Sequence, residues 1–342
     1  MSIGVGLVGF GFSARILQRP LIEAAGMNVR AVLTRQSQAV QATLPEARVV
    51  PDLEALLALP QLDLVVIATP NHLHCSQALA ALEAGKHVVI DKPMALSVAE
   101  CDRLIAAAER HGRRLAVFHN RRWDSDFLTL RRLLTEDALG EIRSFEARWD
   151  RFRPTVPDRW RERVEYGGGL LYDLGAHLID QALCLFGAPE WLQADVFAQR
   201  AGARADDGFS LRLGKGALRI ELTASSVAAD ATLRYRLNGL RASYRKSGVD
   251  VQEQQLREGL SPLDPRFGLE PQAQWGQLTD GASQHVQPVQ AERGQWLAFY
   301  TAMRQSIERD GPEPVPATEA RRVIALIAAA RASSASGHRI AL

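Results

Sequence analysis

Apolar and polar residues follow two different patterns along the chain, and the first pattern gives way to the second near residue 121. Before it, short apolar runs such as 3–11 and 86–93 alternate with amphipathic stretches such as 75–85 and 97–112. The short runs have the length of buried strands, and the amphipathic stretches have the three-to-four-residue spacing of helices. This alternation predicts a parallel sheet with helices on both faces.

The second part of the chain has a different pattern. After a helix over 127–138, alternating segments such as 194–200 and 209–226 predict antiparallel strands with one face open to solvent. The polar stretch 250–292 predicts a long irregular excursion, and two closing helices follow it. We therefore expect an α/β protein with domains 1–120 and 121–342, in which the final helix could pack back near the first domain.

Composition narrows the class of protein. The 342 residues are 46% hydrophobic and 23% charged, with a net charge of +2, which is too small to indicate a nucleic-acid surface. No apolar run reaches the roughly 18 residues that a membrane helix needs, and the N-terminus lacks the features of a signal peptide. Cys75, Cys101 and Cys184 lie far apart in apolar helical stretches, so we expect them to be reduced and buried in a cytoplasmic protein.

A glycine-rich motif of the form G-x-G-x-x-A lies between the first predicted strand and the first predicted helix. At that place the first glycine permits a tight turn, and the second lets the backbone approach a pyrophosphate. The small third residue lets the helix pack on the strand, with the helix N-terminus facing the phosphates. The motif predicts a dinucleotide site, and the alternative is a purely structural turn. The predicted cofactor-binding residues are Gly9, Phe10, Gly11, Phe12 and Ser13.

Two further loops follow predicted strands at the sheet edge where open α/β folds bind ligands. The first holds Thr69, Pro70, Asn71 and His74, and we interpret it as lining the cofactor. A His-x-His pair here could also hold a metal or cap a helix, but no third ligand is nearby, so we expect no metal.

The second loop is Asp91-Lys92-Pro93, and we expect Asp91 and Lys92 to contact the cofactor as well. A lysine beside a buried strand end can have its pKa lowered by desolvation, which suits proton transfer. The same tripeptide also occurs as a solvated turn, so its assignment to chemistry depends on the other motifs.

The stretch GGGLLYDLGAHLID, residues 167–180, places three glycines before a segment with helical apolar spacing. Asp173 and His177 are four residues apart, so on a helix they share one face, and Asp180 continues that face. An isolated pair of this kind is most often a solvated helix surface, and its context decides whether it is catalytic.

Together these segments resemble the Gfo/Idh/MocA oxidoreductase family over essentially the whole chain. The resemblance rests on "GLVGFGFSA", "ATPNHLH", "DKP", "FHNRRWD" and the glycine-rich stretch, in that order. Asp91-Lys92-Pro93 occupies the place of the family's Glu-Lys-Pro motif, with aspartate for glutamate and the lysine kept. The segments "FHNRRWDSDFLTL" and "DRFRPTVPDRWRE" resemble the branch that contains NADP-dependent scyllo-inositol dehydrogenases and related sugar or polyol dehydrogenases.

This resemblance implies an N-terminal Rossmann domain and a C-terminal α+β domain with an open, mostly antiparallel sheet. It implies that Asp173 and His177 project into a cleft facing Lys92, and that the substrate is a secondary alcohol of a cyclic polyol or sugar. His177 would take the hydroxyl proton, Lys92 would stabilise the developing alkoxide, and Asp173 would hold a neighbouring hydroxyl and orient His177. The expected cleft-lining residues are Asn120, Arg122, Trp123, Arg153 and Trp160.

Two other functions stay open on the same fold. One is a non-catalytic, NADP-sensing regulator, which could lose Lys92 and His177 freely, although this chain keeps both. The other is reduction of an imine or an unsaturated ring, against which the Asp–His pair favours alcohol chemistry.

The end of the second predicted strand bears on cofactor choice. NAD-preferring Rossmann domains place Asp or Glu there to bind the ribose 2′-OH, but no carboxylate lies between Met27 and Pro45. Thr34 and Arg35 instead offer a hydroxyl and a planar cation suited to phosphate. We expect NADP(H) to be preferred, with NAD(H) still usable.

The expected partners are a small polyol or sugar and further copies of the chain, without nucleic acid or membrane. An open sheet face must be covered by something, so we expect a homodimer or larger homo-oligomer through that face.

Overall fold

The computed structural model describes residues 2–230 and 233–342, and their contacts separate two compact units. The first unit comprises residues 2–120, Gln252–Phe267 and Gln295–Ile324, and the second comprises Arg121–Val251, Gly268–Gly294 and Ala325–Leu342. The sequence-based division at residue 120 placed 252–267 and 295–324 in the second domain, whereas their contacts group them with the first.

Strands and helices follow one another in a regular order. The strands are β1 (Gly4–Val8), β2 (Asn28–Leu33), β3 (Arg48–Val50), β4 (Leu64–Ile67), β5 (His87–Asp91), β6 (Leu115–Phe118), β7 (Ile142–Arg148), β8 (Trp191–Phe197), β9 (Gly208–Lys215), β10 (Leu218–Ser225), β11 (Leu233–Gly239), β12 (Ala242–Ser247), β13 (Gly276–Asp280), β14 (Val286–Val289) and β15 (Ile340–Ala341). The α-helices are α1 (Arg19–Ala24), α2 (Ser37–Thr43), α3 (Leu53–Leu57), α4 (His74–Glu83), α5 (Val98–His111), α6 (Ser125–Thr135), α7 (Ala176–Phe186), α8 (Gln252–Arg257), α9 (Leu297–Arg309) and α10 (Ala317–Ser336). Two π-helical turns, Ser13–Gln18 and Leu171–Gly175, run directly into α1 and α7.

The first unit contains the predicted doubly wound parallel sheet. Its strands pair in parallel in the order β3-β2-β1-β4-β5-β6. Every residue of β1 and of β4 is buried, as expected for strands covered on both faces. The strand order reverses beside β1, so the loops after β1 and β4 lie at the crevice where such sheets bind ligands.

Helix α5 forms with the caps that its sequence predicts. The hydroxyl of Ser97 accepts a hydrogen bond from the Glu100 amide, and the Glu100 carboxylate accepts one from the Ser97 amide at 3.1 Å. Gly112 ends the helix in the left-handed conformation, with φ of 59°, which costs glycine little.

Two sequence-based expectations need correction, and two short elements were not predicted. The excursion 250–292 contains α8 and the hairpin of β13 and β14, so it is not irregular throughout. The short elements α2 and β3 escaped the pattern analysis because each buries a single residue, Val40 and Val50. Cys184 is exposed, whereas Cys75 and Cys101 are buried as expected.

The second unit is built on a mixed, mostly antiparallel sheet, which confirms the second half of the expected fold class. Its strand order is β14-β13-β12-β11-β7-β10-β9-β8-β15. Among its described strands, only β7 and β10 pair in parallel. The π-helical turn before α7 packs against β9 and β10, so the glycine-rich segment lies on one face of the sheet.

The other face of this sheet is charged. Arg236 of β11 lies 3.6 Å from Glu146 of β7, and Arg212 of β9 lies 3.4 Å from Glu221 of β10. A face with such cross-strand ion pairs tolerates water. Self-association through this face stays a prediction, and it would bring ion-paired side chains such as these together.

In the part of the chain that the structure describes, no helix combines the length and the apolar character needed to cross a membrane. A grouping of three or more His, Cys, Asp or Glu side chains suited to a metal ion is also absent from residues 2–230 and 233–342.

Candidate functional site

The loop after β1 needs glycine at its first position for reasons inside the protein. Gly9 has φ of 94°, a conformation that other residues rarely adopt. A Cβ at this position would lie 2.7 Å from the Ala68 carbonyl oxygen, at the end of β4. The Gly9 amide also donates to the Leu33 carbonyl oxygen at 2.9 Å. This glycine therefore serves the close approach of β1 to its two neighbouring strands.

The second glycine of the loop has no such internal reason. Gly11 does not have a positive φ, and a Cβ placed on it would lie more than 4 Å from every described residue other than its two chain neighbours. The open space over its backbone is what a pyrophosphate needs in order to come close. Ala14, the small third residue, is fully buried, as close packing of helix and strand requires. These residues fit a dinucleotide cofactor, whose phosphates the loop would hold.

His74 ties together the loops that follow β4 and β5. Its Nε2 lies 2.9 Å from the Thr69 carbonyl oxygen, and its Nδ1 lies 2.8 Å from the Pro93 carbonyl oxygen. The imidazole is fully buried, so it does not reach a ligand at the rim, contrary to its expected role as a cofactor contact. Burial lowers the pKa of His74, although the carbonyl oxygens of Pro93 and Thr69 and the Asp91 carboxylate act against that shift. His74 therefore holds together the loops after β4 and β5, which form the rim of the candidate cofactor site.

The other rim residues lie around this bridge. The hydroxyl of Thr69 donates to Gln77 Oε1 at 2.6 Å, and Asn71 is buried at the start of the turn before α4. Lys92 is half-buried, and its amide donates to Asp91 Oδ1 at 3.0 Å. The Asp91 carboxylate thus shapes the backbone of the loop that presents the lysine.

The end of β2 leads into a turn that carries an exposed cation. Arg35 is exposed, and within the described residues its guanidinium forms no ion pair. The Thr34 hydroxyl accepts a hydrogen bond from the Gln36 amide at 3.0 Å, which turns the chain into α2. The cation next to this turn is available for an anion.

Sequence reasoning missed a residue beside the glycine loop. The Arg257 guanidinium, at the end of α8, lies 4.2 Å from the centre of the Phe12 ring. Helix α8 falls in the stretch expected to be irregular. A local signal was present, because Glu253 and Arg257 are four residues apart and pair at 2.8 Å.

In the second unit, the glycine triplet serves close packing within the chain. A Cβ on Gly168 would lie 2.5 Å from the Arg161 carbonyl oxygen. Gly169 has φ of 113°, and a Cβ there would lie 2.3 Å from Asp206 Oδ1. The Asp206 carboxylate also accepts from the Leu171 amide at 2.7 Å, at the start of the helical run. The glycines make room for the groups that anchor this helix.

Asp173 and His177 both lie on this helical run, on either side of the junction between the π-helical turn and α7. The Asp173 carboxylate pairs with the Arg151 guanidinium at 3.2 Å. His177 is buried, and its ring centre lies 5.7 Å from that of Trp149. The predicted partnership of Asp173 and His177 stays a prediction, and the structure adds a neighbour to each.

Trp149 is a second residue that sequence reasoning missed. Besides the His177 ring, it faces the guanidinium groups of Arg234 at 4.5 Å and Arg121 at 4.8 Å. Cations over an aromatic face are favourable, more so when buried. These contacts join Trp149, directly after β7, to side chains of α7 and β11. Regular spacing along the sequence cannot predict contacts between such distant segments.

Arg122 is engaged by Asp180, and its expected cleft-lining role stays a prediction. Its Nε and Nη2 donate to the two carboxylate oxygens of Asp180 at 2.9 and 2.6 Å. A bidentate pair of this kind fixes both side chains. Asp180, expected on the face of Asp173 and His177, is thus engaged by Arg122 and almost fully buried.

The remaining predicted substrate residues differ in exposure. Asn120 is buried, Trp123 and Trp160 are half-buried, and Arg153 is exposed. Arg153 lines a small cavity together with Asp173, Arg151 and Arg159. Desolvation by partial burial lowers the pKa of Arg153, and the positive charges of Arg151 and Arg159 lower it further. The Asp173 carboxylate raises it. The surroundings of Asp173 are therefore rich in hydrogen-bond donors.

These features define a two-unit protein with a Rossmann-type nucleotide site. Residues 3–119 match the model of an oxidoreductase family, NAD-binding Rossmann fold, and residues 131–342 match that of its C-terminal alpha/beta domain. The chain belongs to the Gfo/Idh/MocA oxidoreductase family, and it is an NAD(P)-binding member.

Similar proteins cover the whole chain. The uncharacterized oxidoreductase YdgJ of Escherichia coli K12 is 42% identical over 95% of this chain and 94% of its own. The scyllo-inositol 2-dehydrogenase (NADP(+)) IolW of Bacillus subtilis is 37% identical over 100% and 96%. Among solved structures, the oxidoreductase yvaA of Bacillus subtilis is 37% identical, with a TM-score of 0.97 over 100% of this chain and 98% of that one.

His74→Phe tests the bridge between the rim loops. The ring of Phe fills the site but donates to neither carbonyl, and a lost buried hydrogen bond costs about 1–3 kcal/mol. We expect a lower melting temperature and a several-fold weaker Kd for NADPH. His74→Gln, which keeps an amide donor, should recover part of the affinity. A lower melting temperature with unchanged affinity in both variants would show that His74 is a core residue only.

Proposed function

We propose that this protein is a dehydrogenase that transfers a hydride between NADP and a secondary alcohol or hemiacetal of a cyclic polyol or sugar. The observation that carries the proposal is the placement of Asp173 and His177 on one helical run, with Arg151 against the carboxylate and Trp149 against the imidazole. The name of the relative IolW, a scyllo-inositol 2-dehydrogenase, supports this substrate class.

In the proposed mechanism, each side chain has one task. Nicotinamide, when bound, supplies the carbon that exchanges the hydride. His177 accepts the hydroxyl proton as the alcohol is oxidised, which is the task that histidine most often performs as a general base. Lys92 hydrogen-bonds the same oxygen and stabilises the developing negative charge. Asp173, held by Arg151, accepts a hydrogen bond from a neighbouring hydroxyl of the substrate.

A regulator that senses NADP without catalysis is the second candidate. The observation in its favour is the exposed charge on the open sheet face, which could meet a macromolecular partner. Retention of both Lys92 and His177 favours the enzyme.

We also propose self-association through the open sheet face and a cytoplasmic location. Cross-strand charges such as Arg236 and Glu146 support a polar interface between copies. The location rests on the three cysteines, none of which forms a disulfide.

Lys92→Ala and His177→Ala test the catalytic roles. Loss of an acid–base group lowers turnover roughly a hundredfold or more, and we expect this for each variant with the best substrate. Affinity for NADPH should stay within several-fold of wild type, because the glycine loop and rim hold most of the cofactor. Near-normal turnover in both variants would refute the assignment.

A substrate panel tests the chemical class. Inositols, aldoses, their lactones and acidic sugars are assayed at 340 nm with each nicotinamide cofactor. We expect the highest activity with a neutral ring that carries several hydroxyls, and scyllo-inositol or its ketone is our leading single substrate. The arginines around Asp173 make an acidic sugar the alternative. Activity confined to simple alcohols or aldehydes would exclude the class.

Arg35→Ala tests the preference for NADP(H). A hydrogen bond to a charged group is worth about 1.5–3 kcal/mol, so this variant should bind NADPH at least tenfold more weakly. Binding of NADH, which has no 2′-phosphate, should barely change. Titration of wild type and variant with both cofactors measures this. Tighter binding of NADH by the wild type, or equal losses for both cofactors, would contradict the proposal.

A further inference from the structure

A chain of hydrogen bonds runs from the glycine loop into the core of the first unit. The Tyr300 hydroxyl, on α9, donates to Gln18 Oε1 at 2.5 Å, and Gln18 Nε2 donates to the Ser13 hydroxyl oxygen at 3.0 Å. Tyr300 and Gln18 are fully buried, whereas Ser13 is half-buried. The chain thus leads from a buried phenol to a hydroxyl in the dinucleotide loop.

The π-helical turn brings Ser13 and Gln18 together. In an α-helix, residues five apart point about 140° away from each other around the axis. In a π-helical turn the backbone bonds instead join residues five apart, so their side chains lie close together. The turn Ser13–Gln18 therefore places the Gln18 amide against the Ser13 hydroxyl.

The donor and acceptor in each of these hydrogen bonds are determined by the buried end of the series, at Tyr300. Within the described residues, the Tyr300 hydroxyl has one hydrogen-bond partner, Gln18. A buried O–H that donates to nothing is costly, so the phenol donates and the amide turns its oxygen toward it. The amide nitrogen of Gln18 then faces Ser13 and can only donate.

The consequence falls on the Ser13 hydroxyl. Because its oxygen receives a hydrogen bond from Gln18, its own hydrogen points to another acceptor. No protein acceptor for that hydrogen lies among the described residues. Ser13 follows the open backbone at Gly11, where no described residue beyond the chain neighbours lies within 4 Å of a would-be Cβ.

We propose that the Ser13 hydroxyl donates to a phosphate oxygen of the dinucleotide, and that Gln18 and Tyr300 are positioning residues that set the direction of this bond. Neither of them touches the cofactor. The proposal rests on dinucleotide binding at the glycine loop and is independent of the proposed substrate.

A double-mutant cycle of Ser13→Ala and Gln18→Glu tests the proposal, with the Kd of NADPH as the readout. Glutamate has the shape of glutamine, but its carboxylate only accepts, so the Ser13 hydrogen turns inward. Loss of a hydrogen bond to a charged group weakens binding roughly tenfold to a hundredfold, and we expect each single variant to show this. In the Ser13→Ala background, Gln18→Glu should add less than threefold, because there is no hydroxyl left to turn. The double variant also measures the effect of the added charge by itself.

Tyr300→Phe is the second variant, and it adds no charge. Without the phenol, the Gln18 amide is free to rotate, so we expect a loss of threefold or more for NADPH and no further loss in the Ser13→Ala background. Binding of 2′-AMP, which lacks the pyrophosphate, should stay within twofold of wild type in every variant.

Wild-type affinity for NADPH in Ser13→Ala would overturn the proposal. Equal losses from Gln18→Glu with and without Ser13, or equal losses for NADPH and 2′-AMP, would overturn it as well. If the wild type bound neither nicotinamide cofactor, both the dinucleotide site and the proposed role of Ser13 would be overturned. A substrate panel without activity would leave both of them intact.

Discussion

Parallel pairing of β1 with both β2 and β4 is the constraint on which the nucleotide site depends. Parallel strands align their carboxyl ends at one edge, so the loops after β1, β2, β4 and β5 meet there. Gly9 shows how tight this arrangement is, because its missing side chain leaves room for the Ala68 carbonyl at the end of β4. The space over Gly11, two residues later, is not occupied by any described residue beyond its chain neighbours. The same short loop thus serves the sheet with one glycine and a ligand with the other.

Buried polar side chains hold the rim of the first unit in place. His74 joins the loops after β4 and β5, and Gln18 joins the glycine loop to α9. A buried polar group is costly unless it is hydrogen-bonded, and these groups find their partners in the loops that line the site. The stability of the unit and the geometry of its rim are therefore coupled.

Buried ion pairs hold side chains of the second unit in place, and one of them lies on the candidate catalytic helix α7. Arg122 holds Asp180, and the buried Arg200 bridges Glu162 and Asp207 at 2.6 and 2.9 Å. Removing one partner of a buried pair costs about 3–5 kcal/mol, because it leaves the other charge uncompensated. Trp149 adds a flat surface against His177. Arg122, which the sequence suggests as a substrate residue, is thus also bound to a carboxylate of the helix itself.

The sequence by itself determined the features that depend on local physics. The parallel sheet follows from alternating apolar runs and amphipathic stretches, the caps of α5 from Ser97, Glu100 and Gly112, and the glycine loop from conformations that few residues adopt. Only the tertiary structure decided which distant side chains meet. Gln18 and Tyr300 are 282 residues apart, and Arg257 reaches Phe12 from a stretch that reads as irregular. Local periodicity reports which face of an element is buried, but the partner that this face meets is selected by the packing of the whole unit. Such pairings therefore cannot be read from spacing along the chain.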